Sequence, residues 1–333
     1  MASKLPLDIV ATGPIDPDAA NILASFGNLV VASEGSEQML LPLMERATGL
    51  IVRGGGVATR RMISAAPNLR VIGRSGAGYD SVDLNAASER RIPLVYVPGA
   101  GAQAVAEAGV ALIFALAKNL SYWDGEMKAG NWKSRFQSSP RDVAGSVIGL
   151  VGLGNIGSAL AGMLRGFNPR VVAYDPLVRP ENAKRLGVEL TTLESLLATS
   201  DFVSLHAPLT PNTRGMINRS TLGQMKAGAF LINLARGGLI ESLDTLHEFL
   251  SNGKLAGAAL DVFDPEPPDH HHPIFQLKNV ITSPHALGMT EGTMRQIFKS
   301  MADDMAAVLS GRPPRFVVNR EVLEDAASIE EVK

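Results

Sequence analysis

The chain has 333 residues, more than one hydrophobic core usually supports, and 46 % of them are hydrophobic against 19 % charged, the balance of a globular protein with two domains. The 31 basic residues face 33 acidic ones for a net charge of −2, and no stretch gathers Lys and Arg into a footprint for a phosphate backbone, which argues against nucleic acid as a partner. Cysteine is absent, so disulfides, thiolate metal sites and a Cys nucleophile are excluded. The start, MASKLPLDIVATG, has no apolar leader core, and the run Val110 to Ala117 is too short to cross a bilayer, so the expectation is a cytoplasmic chain with no membrane partner.

Short β-branched runs alternate with helical patterns throughout, the sign of parallel βαβ units and an α/β class. In the first third the predicted strands are Asp8–Val10, Leu29–Val31, Leu50–Val52, Arg70–Ile72 and Leu94–Val97. A long helical stretch, AQAVAEAGVALIFALAKNL, follows, and a boundary is expected near Gly99. A second series of strands is expected at Val147–Val151, Arg170–Tyr174, Phe202–Leu205, Ala229–Asn233, Leu255–Leu260 and Val280–Thr282. The helix predicted over Thr290 to Ser310 has no sheet of its own to cover. The expectation is therefore one domain of residues 1–99 with 290–333 and a second of 100–289, both doubly wound parallel sheets. The tail EVLEDAASIEEVK reads as surface chain.

In SVIGLVGLGNIGSALAG, Gly152, Gly154 and Gly157 have G-x-G-x-x-G spacing between a strand and a helix. The first glycine allows the tight turn, the second lets a pyrophosphate approach the backbone, and the third lets helix and strand pack closely. Asp175 ends the next strand eighteen positions after Gly157, where an acid bonds the adenosine ribose, and it disfavours a 2′-phosphate. NAD is therefore expected over NADP, with Arg179 nearby working against strict preference. A second glycine turn, RSGAGYDSVD, reads equally as a nest for a carboxylate or as a plain turn.

Arg236, Glu266 and His285 each follow a predicted strand of the second domain, on the side where open α/β sheets bind ligands. Each has a bland reading: Arg236 pairing with Glu241, Glu266 in a solvated proline loop, His285 capping after Pro284. Together, in a chain with a dinucleotide turn, they read as catalytic. An arginine stabilises oxygen charge and grips a carboxylate, a histidine moves a proton near neutrality, and a carboxylate orients the imidazole.

The segments GRSGAGYDSVDL, PGAGAQAVAE, GLVGLGNIG, SLHAPLTPNTRGMI, LINLARGG, LAGAALDVFDPEP and TSPHALG, in this order, resemble the D-isomer-specific 2-hydroxyacid dehydrogenases, the family of phosphoglycerate dehydrogenase and glyoxylate/hydroxypyruvate reductase. The resemblance implies a Rossmann nucleotide domain inserted into a flavodoxin-like substrate domain, a homodimer, NAD as cofactor and a small 2-oxo or 2-hydroxy acid as substrate. It makes Arg236 the substrate-binding arginine, Glu266 the carboxylate partner and His285 the acid/base. Around the cofactor it places Asn155 and Ile156 at the phosphates, Asp175 at the ribose, and Leu234, Ala235 and Asp261 near the nicotinamide, with Pro208, Gly288, Arg236 and His285 also lining that site. Ala77 and Gly78 match backbone groups that hold the substrate carboxylate. The chain departs from the family at Gly101, often Asn, and at Ala108, often His.

His206 reads either as a cofactor-cleft residue or as a histidine satisfying a turn, and Arg53 in VRGGGVATR either as a surface arginine or as a partner for a distal anionic group. The run His270 to His272 is rejected as a metal site because adjacent histidines do not converge on one ion; no metal is expected. His247 reads as structural, and Trp123 and Trp132 as packing at a dimer arm. Rival functions are an NAD(H)-sensing protein resembling a corepressor, and a dehydrogenase of the same fold acting on something other than a 2-oxo acid.

Overall fold

A computed structural model describes residues 7–323, so the tail from 324 onward lies outside the described residues. The chain divides into two compact units: one is the chain up to Gly101 together with the chain from Thr290, the other is Ala102–Met289.

The first unit holds β1 (Asp8–Ala11), β2 (Asn28–Val31), β3 (Ala47–Val52), β4 (Val71–Arg74) and β5 (Leu94–Val95) in the order β2-β1-β3-β4-β5, all parallel, the flavodoxin-like arrangement. Central β3 is buried at every position, as a strand covered on both faces must be. One cover is the helix Glu291–Leu309, which packs Ile297, Phe298, Met301 and Met305 with Ile9, Ile51 and Val71. After that helix the chain returns to the sheet edge. Val317 bridges Val95 in antiparallel sense, and the buried Asn319 accepts from the Leu94 N–H (2.8 Å) and donates to the Ile92 carbonyl (2.9 Å).

The second unit holds β6 (Val147–Val151), β7 (Arg170–Tyr174), β8 (Glu189–Leu190), β9 (Phe202–Leu205), β10 (Ala229–Asn233), β11 (Leu255–Leu260) and β12 (Val280–Thr282), ordered β12-β11-β10-β9-β6-β7-β8. The order runs β6, β7, β8 in one direction and resumes from β6 with β9 in the other, so the switch point of this Rossmann-type sheet lies at the carboxyl ends of β6 and β9. Strand β8, two residues at the edge, was absent from the sequence reading because nothing so short carries a period. Leu160, Ala161 and Leu164 of the helix Asn155–Leu164 share a core with Leu112, Ile113 and Leu116 of the helix Ala102–Ala117. Among the described residues no single helix is long and apolar enough to cross a membrane. The pair Ala102–Ala117 and Leu120–Lys128 reaches that length only jointly and is bent by 60°.

Replacing Asn319 by Ala leaves a buried N–H and a buried carbonyl without partners, so urea denaturation should show a loss of about 2 kcal/mol or more. An unchanged midpoint would mean that the C-terminal return does not stabilise the first sheet.

Candidate functional site

Parallel pairing levels the carboxyl ends of four strands. Asn233 of β10 stands beside Leu205 of β9 and Leu260 of β11, and Leu260 beside Thr282 of β12. The next residues, around 206, 234–236, 261 and 283–285, therefore leave the sheet along one edge, next to the turn after β6.

In that turn Gly152 has φ +99°, and a Cβ there would meet the His206 and Ala207 backbone at 2.8–2.9 Å. A Cβ on Gly157 would lie 2.2 Å from the Gly152 carbonyl oxygen. Gly154 has nothing within 4 Å of a Cβ and begins the helix Asn155–Leu164 without a side-chain cap. The Gly154, Asn155 and Ile156 N–H groups have no partner in the described chain, which leaves an open set of donors at a helix N-terminus. Asp175 accepts from the N–H groups of Leu153 (2.8 Å), Leu177 (2.9 Å) and Val178 (3.1 Å).

The turn after β10 is shaped by Asn233, fully buried, which accepts from the Ala235 N–H (3.1 Å) and donates to the Arg236 carbonyl (2.9 Å). Arg236 is half-buried and donates to the Ala235 carbonyl (2.8 Å). At Gly237 a Cβ would fall 1.9 Å from the Phe263 carbonyl carbon, so only glycine lets this turn lie against the Phe263–Asp264 peptide. That second turn leads to Glu266, whose Oε1 accepts from the Phe263 N–H (3.1 Å) and whose Oε2 lies 2.9 Å from His285 Nδ1. A carboxylate only accepts, so Nδ1 carries the shared proton and Nε2, with no partner in the described chain, is left for a ligand.

His285 sits at φ +52°, a left-handed conformation costing a non-glycine residue about 1 kcal/mol. Asp261, buried at 4 % exposure, holds it there. The Asp261 carboxylate accepts from Ser283 Oγ (2.6 Å) and from the N–H groups of Ala286 (3.0 Å) and Leu287 (3.4 Å), while its carbonyl accepts from the His285 N–H (2.7 Å).

Burial works to raise the Glu266 pKa, but the hydrogen bonds from His285 and the Phe263 N–H, with the nearby charges of His285 and Arg236, hold it below the usual carboxylate range. His206 behaves oppositely: desolvation lowers its pKa to about 4, so the ring is neutral near pH 7, with Nε2 2.9 Å from the buried Ser204 Oγ and a buried Nδ1 that has no partner.

Glycines 152, 154 and 157, Asn155, Ile156, Asp175, His206, Leu234, Ala235, Arg236, Asp261, Glu266 and His285 thus stand at the strand ends of the second unit. Pro208 follows β9 and accepts from Thr213 Oγ1 (2.6 Å), and Gly288 lies against Val105. Arg53, Ala77 and Gly78 belong to the first unit, at the corresponding ends of β3 and β4. Arg53 lies over the Phe298 ring at 5.5 Å and donates to the Pro14 carbonyl. The Ala77 and Gly78 N–H groups have no partner in the described chain. Sequence reasoning missed Asn233, Ser204 and Ser283; the only trace of Asn233 was one amide closing an apolar strand.

Residues 110–286 match the profile of the D-isomer specific 2-hydroxyacid dehydrogenase, NAD binding domain. The chain is 38 % identical over 313 residues to D-3-phosphoglycerate dehydrogenase of Methanocaldococcus jannaschii, covering 93 % of this chain and 59 % of that one. It is 36 % identical over 287 residues to hydroxypyruvate reductase of Thermotoga maritima, covering 85 % and 92 %. The crystal structure of D-lactate dehydrogenase from Aquifex aeolicus, complexed with NAD and lactic acid, superposes with a TM-score of 0.83 at 27 % identity, covering 91 % and 96 %. The chain therefore belongs to the D-isomer specific 2-hydroxyacid dehydrogenase family, and NAD is its cofactor. It spans about three-fifths of the length of the phosphoglycerate dehydrogenases from M. jannaschii and Archaeoglobus fulgidus. The turn after β6 fits a dinucleotide: its Gly154, Asn155 and Ile156 N–H groups are unspent, and the space beside the Gly154 Cα is open.

Below pH 6.5 the unfolded chain protonates His206 while the folded chain resists until about pH 4, so stability should fall as pH drops through that window, by roughly 3 kcal/mol from this group. Denaturation of wild type and His206→Gln across pH 4 to 7 checks this, since the variant should lose that slope. For Gly237→Ala, where two backbones must separate, kcat/KM should collapse before the far-UV spectrum changes. Full activity in that variant would contradict the close approach.

Proposed function

We propose that the protein is an NAD-dependent oxidoreductase that interconverts a D-2-hydroxy acid and its 2-oxo acid. The observation that carries this reading is the 2.9 Å pairing of His285 Nδ1 with Glu266, on the same sheet edge as the Arg236 turn and the glycine turn. When bound, NADH supplies the hydride that reduces the carbonyl carbon. The Arg236 guanidinium grips the substrate carboxylate and faces the charge building on the carbonyl oxygen, which a fixed cation stabilises. His285 gives that oxygen its proton from Nε2, while Glu266 fixes the ring through Nδ1. In the opposite direction His285 takes the hydroxyl proton.

The unit of Ala102–Met289 is read as the cofactor domain and the other as the substrate domain, whose Ala77 and Gly78 carry N–H groups without a partner in the described chain and whose Arg53 is read as a substrate-binding residue. We read the enzyme as a cytoplasmic homodimer. Support for the dimer comes from Leu120, Met127, Trp132 and Phe136, each more than half exposed within one short segment of the cofactor domain, an apolar surface suited to a second copy. Sedimentation should then give about twice the 35.2 kDa chain mass, and a species of one chain mass would remove the dimer from the reading.

The direct test is NADH oxidation against glyoxylate, hydroxypyruvate, phenylpyruvate and 3-phosphohydroxypyruvate. The His285→Ala variant should lose on the order of 10²–10⁴-fold in kcat, and Arg236→Lys on the order of 10²-fold in kcat/KM because a point charge replaces a planar fork. NADH binding without turnover on any acid would instead favour a sensing role.

A further inference from the structure

We propose that Asp175 is a positioning residue for the glycine turn: its carboxylate holds the turn in its binding shape before any nucleotide arrives. The inference rests on the reading of that turn as the pyrophosphate cradle and adds a role that ribose recognition does not include.

Strands β6 and β7 pair in register up to Val151 beside Tyr174. The last backbone rung is the Gly152 N–H on the Tyr174 carbonyl, at 2.8 Å. The chain after β7 then turns away at Pro176, yet the ladder gains one further rung, because Asp175 Oδ2 accepts from the Leu153 N–H at 2.8 Å. The other oxygen, Oδ1, accepts from Leu177 and Val178 at 2.9 and 3.1 Å, which fixes the carboxylate plane. On the opposite side the His206–Ala207 backbone closes over Gly152. The turn is clamped between β9 and Asp175, and this keeps the Gly154, Asn155 and Ile156 N–H groups pointing together.

A carboxylate offers about four lone-pair directions. Three of them serve backbone N–H groups here, so about one remains for a ribose hydroxyl. Asparagine cannot replace this arrangement: if its one acceptor oxygen serves Leu177 and Val178, its NH₂ meets the Leu153 N–H, and the reverse choice strands the other two. Removing the acid to admit a 2′-phosphate therefore also loosens the pyrophosphate cradle, so NADH affinity falls and NADPH does not reach the affinity that NADH has for the wild type.

The experiment is amide hydrogen exchange on the ligand-free protein, with wild type, Asp175→Asn and Asp175→Ala. The Leu153 amide should exchange on the order of tenfold or more faster in Asp175→Ala, the loss of one bond to a charged acceptor, and Asp175→Asn should free either that amide or those of Leu177 and Val178, while the Leu150 and Val172 amides inside the strands keep their protection and report an intact fold. Fluorescence titration with NADH and NADPH on the same proteins should show weaker NADH binding in both variants, and NADPH held by Asp175→Ala less tightly than NADH is by the wild type. A Leu153 amide unmoved in Asp175→Ala overturns the inference, as does an Asp175→Ala protein that binds NADPH as tightly as wild type binds NADH. Wild-type protein that fails to bind NADH overturns the cofactor reading and this inference with it, whereas bound NADH with an unmoved Leu153 amide overturns the inference alone.

Discussion

The buried carboxylate of Asp261 fixes the geometry on which the site depends. It stands one residue past β11 and gathers Ser283 and the N–H groups of Ala286 and Leu287, while its own carbonyl takes the His285 N–H. A charged group that is almost fully buried is tolerable only with this many donors around it. The result is a histidine held in a left-handed turn with Nδ1 on Glu266 and Nε2 unengaged. Without those bonds the loop after β12 would relax, and the His285–Glu266 pair would lose its fixed distance from the Arg236 turn.

Two other features converge on the same edge. Gly237 lets the loops after β10 and β11 touch backbone to backbone, so Arg236 and Glu266 sit on a shared support, and the Arg236 charge helps keep Glu266 ionised. The glycine turn after β6 is framed by the β9 end through His206 and by the β7 end through Asp175. The glycine turn after β6 and the charged residues after β10, β11 and β12 therefore stand at the carboxyl ends of one sheet, with the end of β9 between them, on the side where open α/β sheets bind ligands.

Much of this was legible in the chain. Strands β6, β7, β9, β10 and β11 are apolar runs between glycines and polar turns, and both sheets follow from their alternation with helices. Arg236, Glu266 and His285 each have a bland reading alone and stood out only together, after three strands of a chain with a dinucleotide turn. The supports did not stand out. Asn233 shapes its own turn, but a single amide closing an apolar strand does not announce it. Ser283 acts through a bond to a residue 22 positions away, and the need for glycine at 237 comes from a peptide 26 positions away. Arg53 remained between surface and ligand in the sequence because its stacking partner, Phe298, lies at the far end of the chain. Pattern reading sees periodicity and local turn chemistry, and these contacts are neither.

The central claim, reduction of a 2-oxo acid to the D-2-hydroxy acid with NADH, is tested most directly by isotope transfer. The protein would be incubated with NADH carrying deuterium at both C4 positions of the nicotinamide and the best 2-oxo acid substrate that gives a chiral product, and the product analysed by chiral chromatography and mass spectrometry. The account predicts a D-2-hydroxy acid carrying one deuterium at C2. An L product, or a D product with no deuterium at C2, would contradict it.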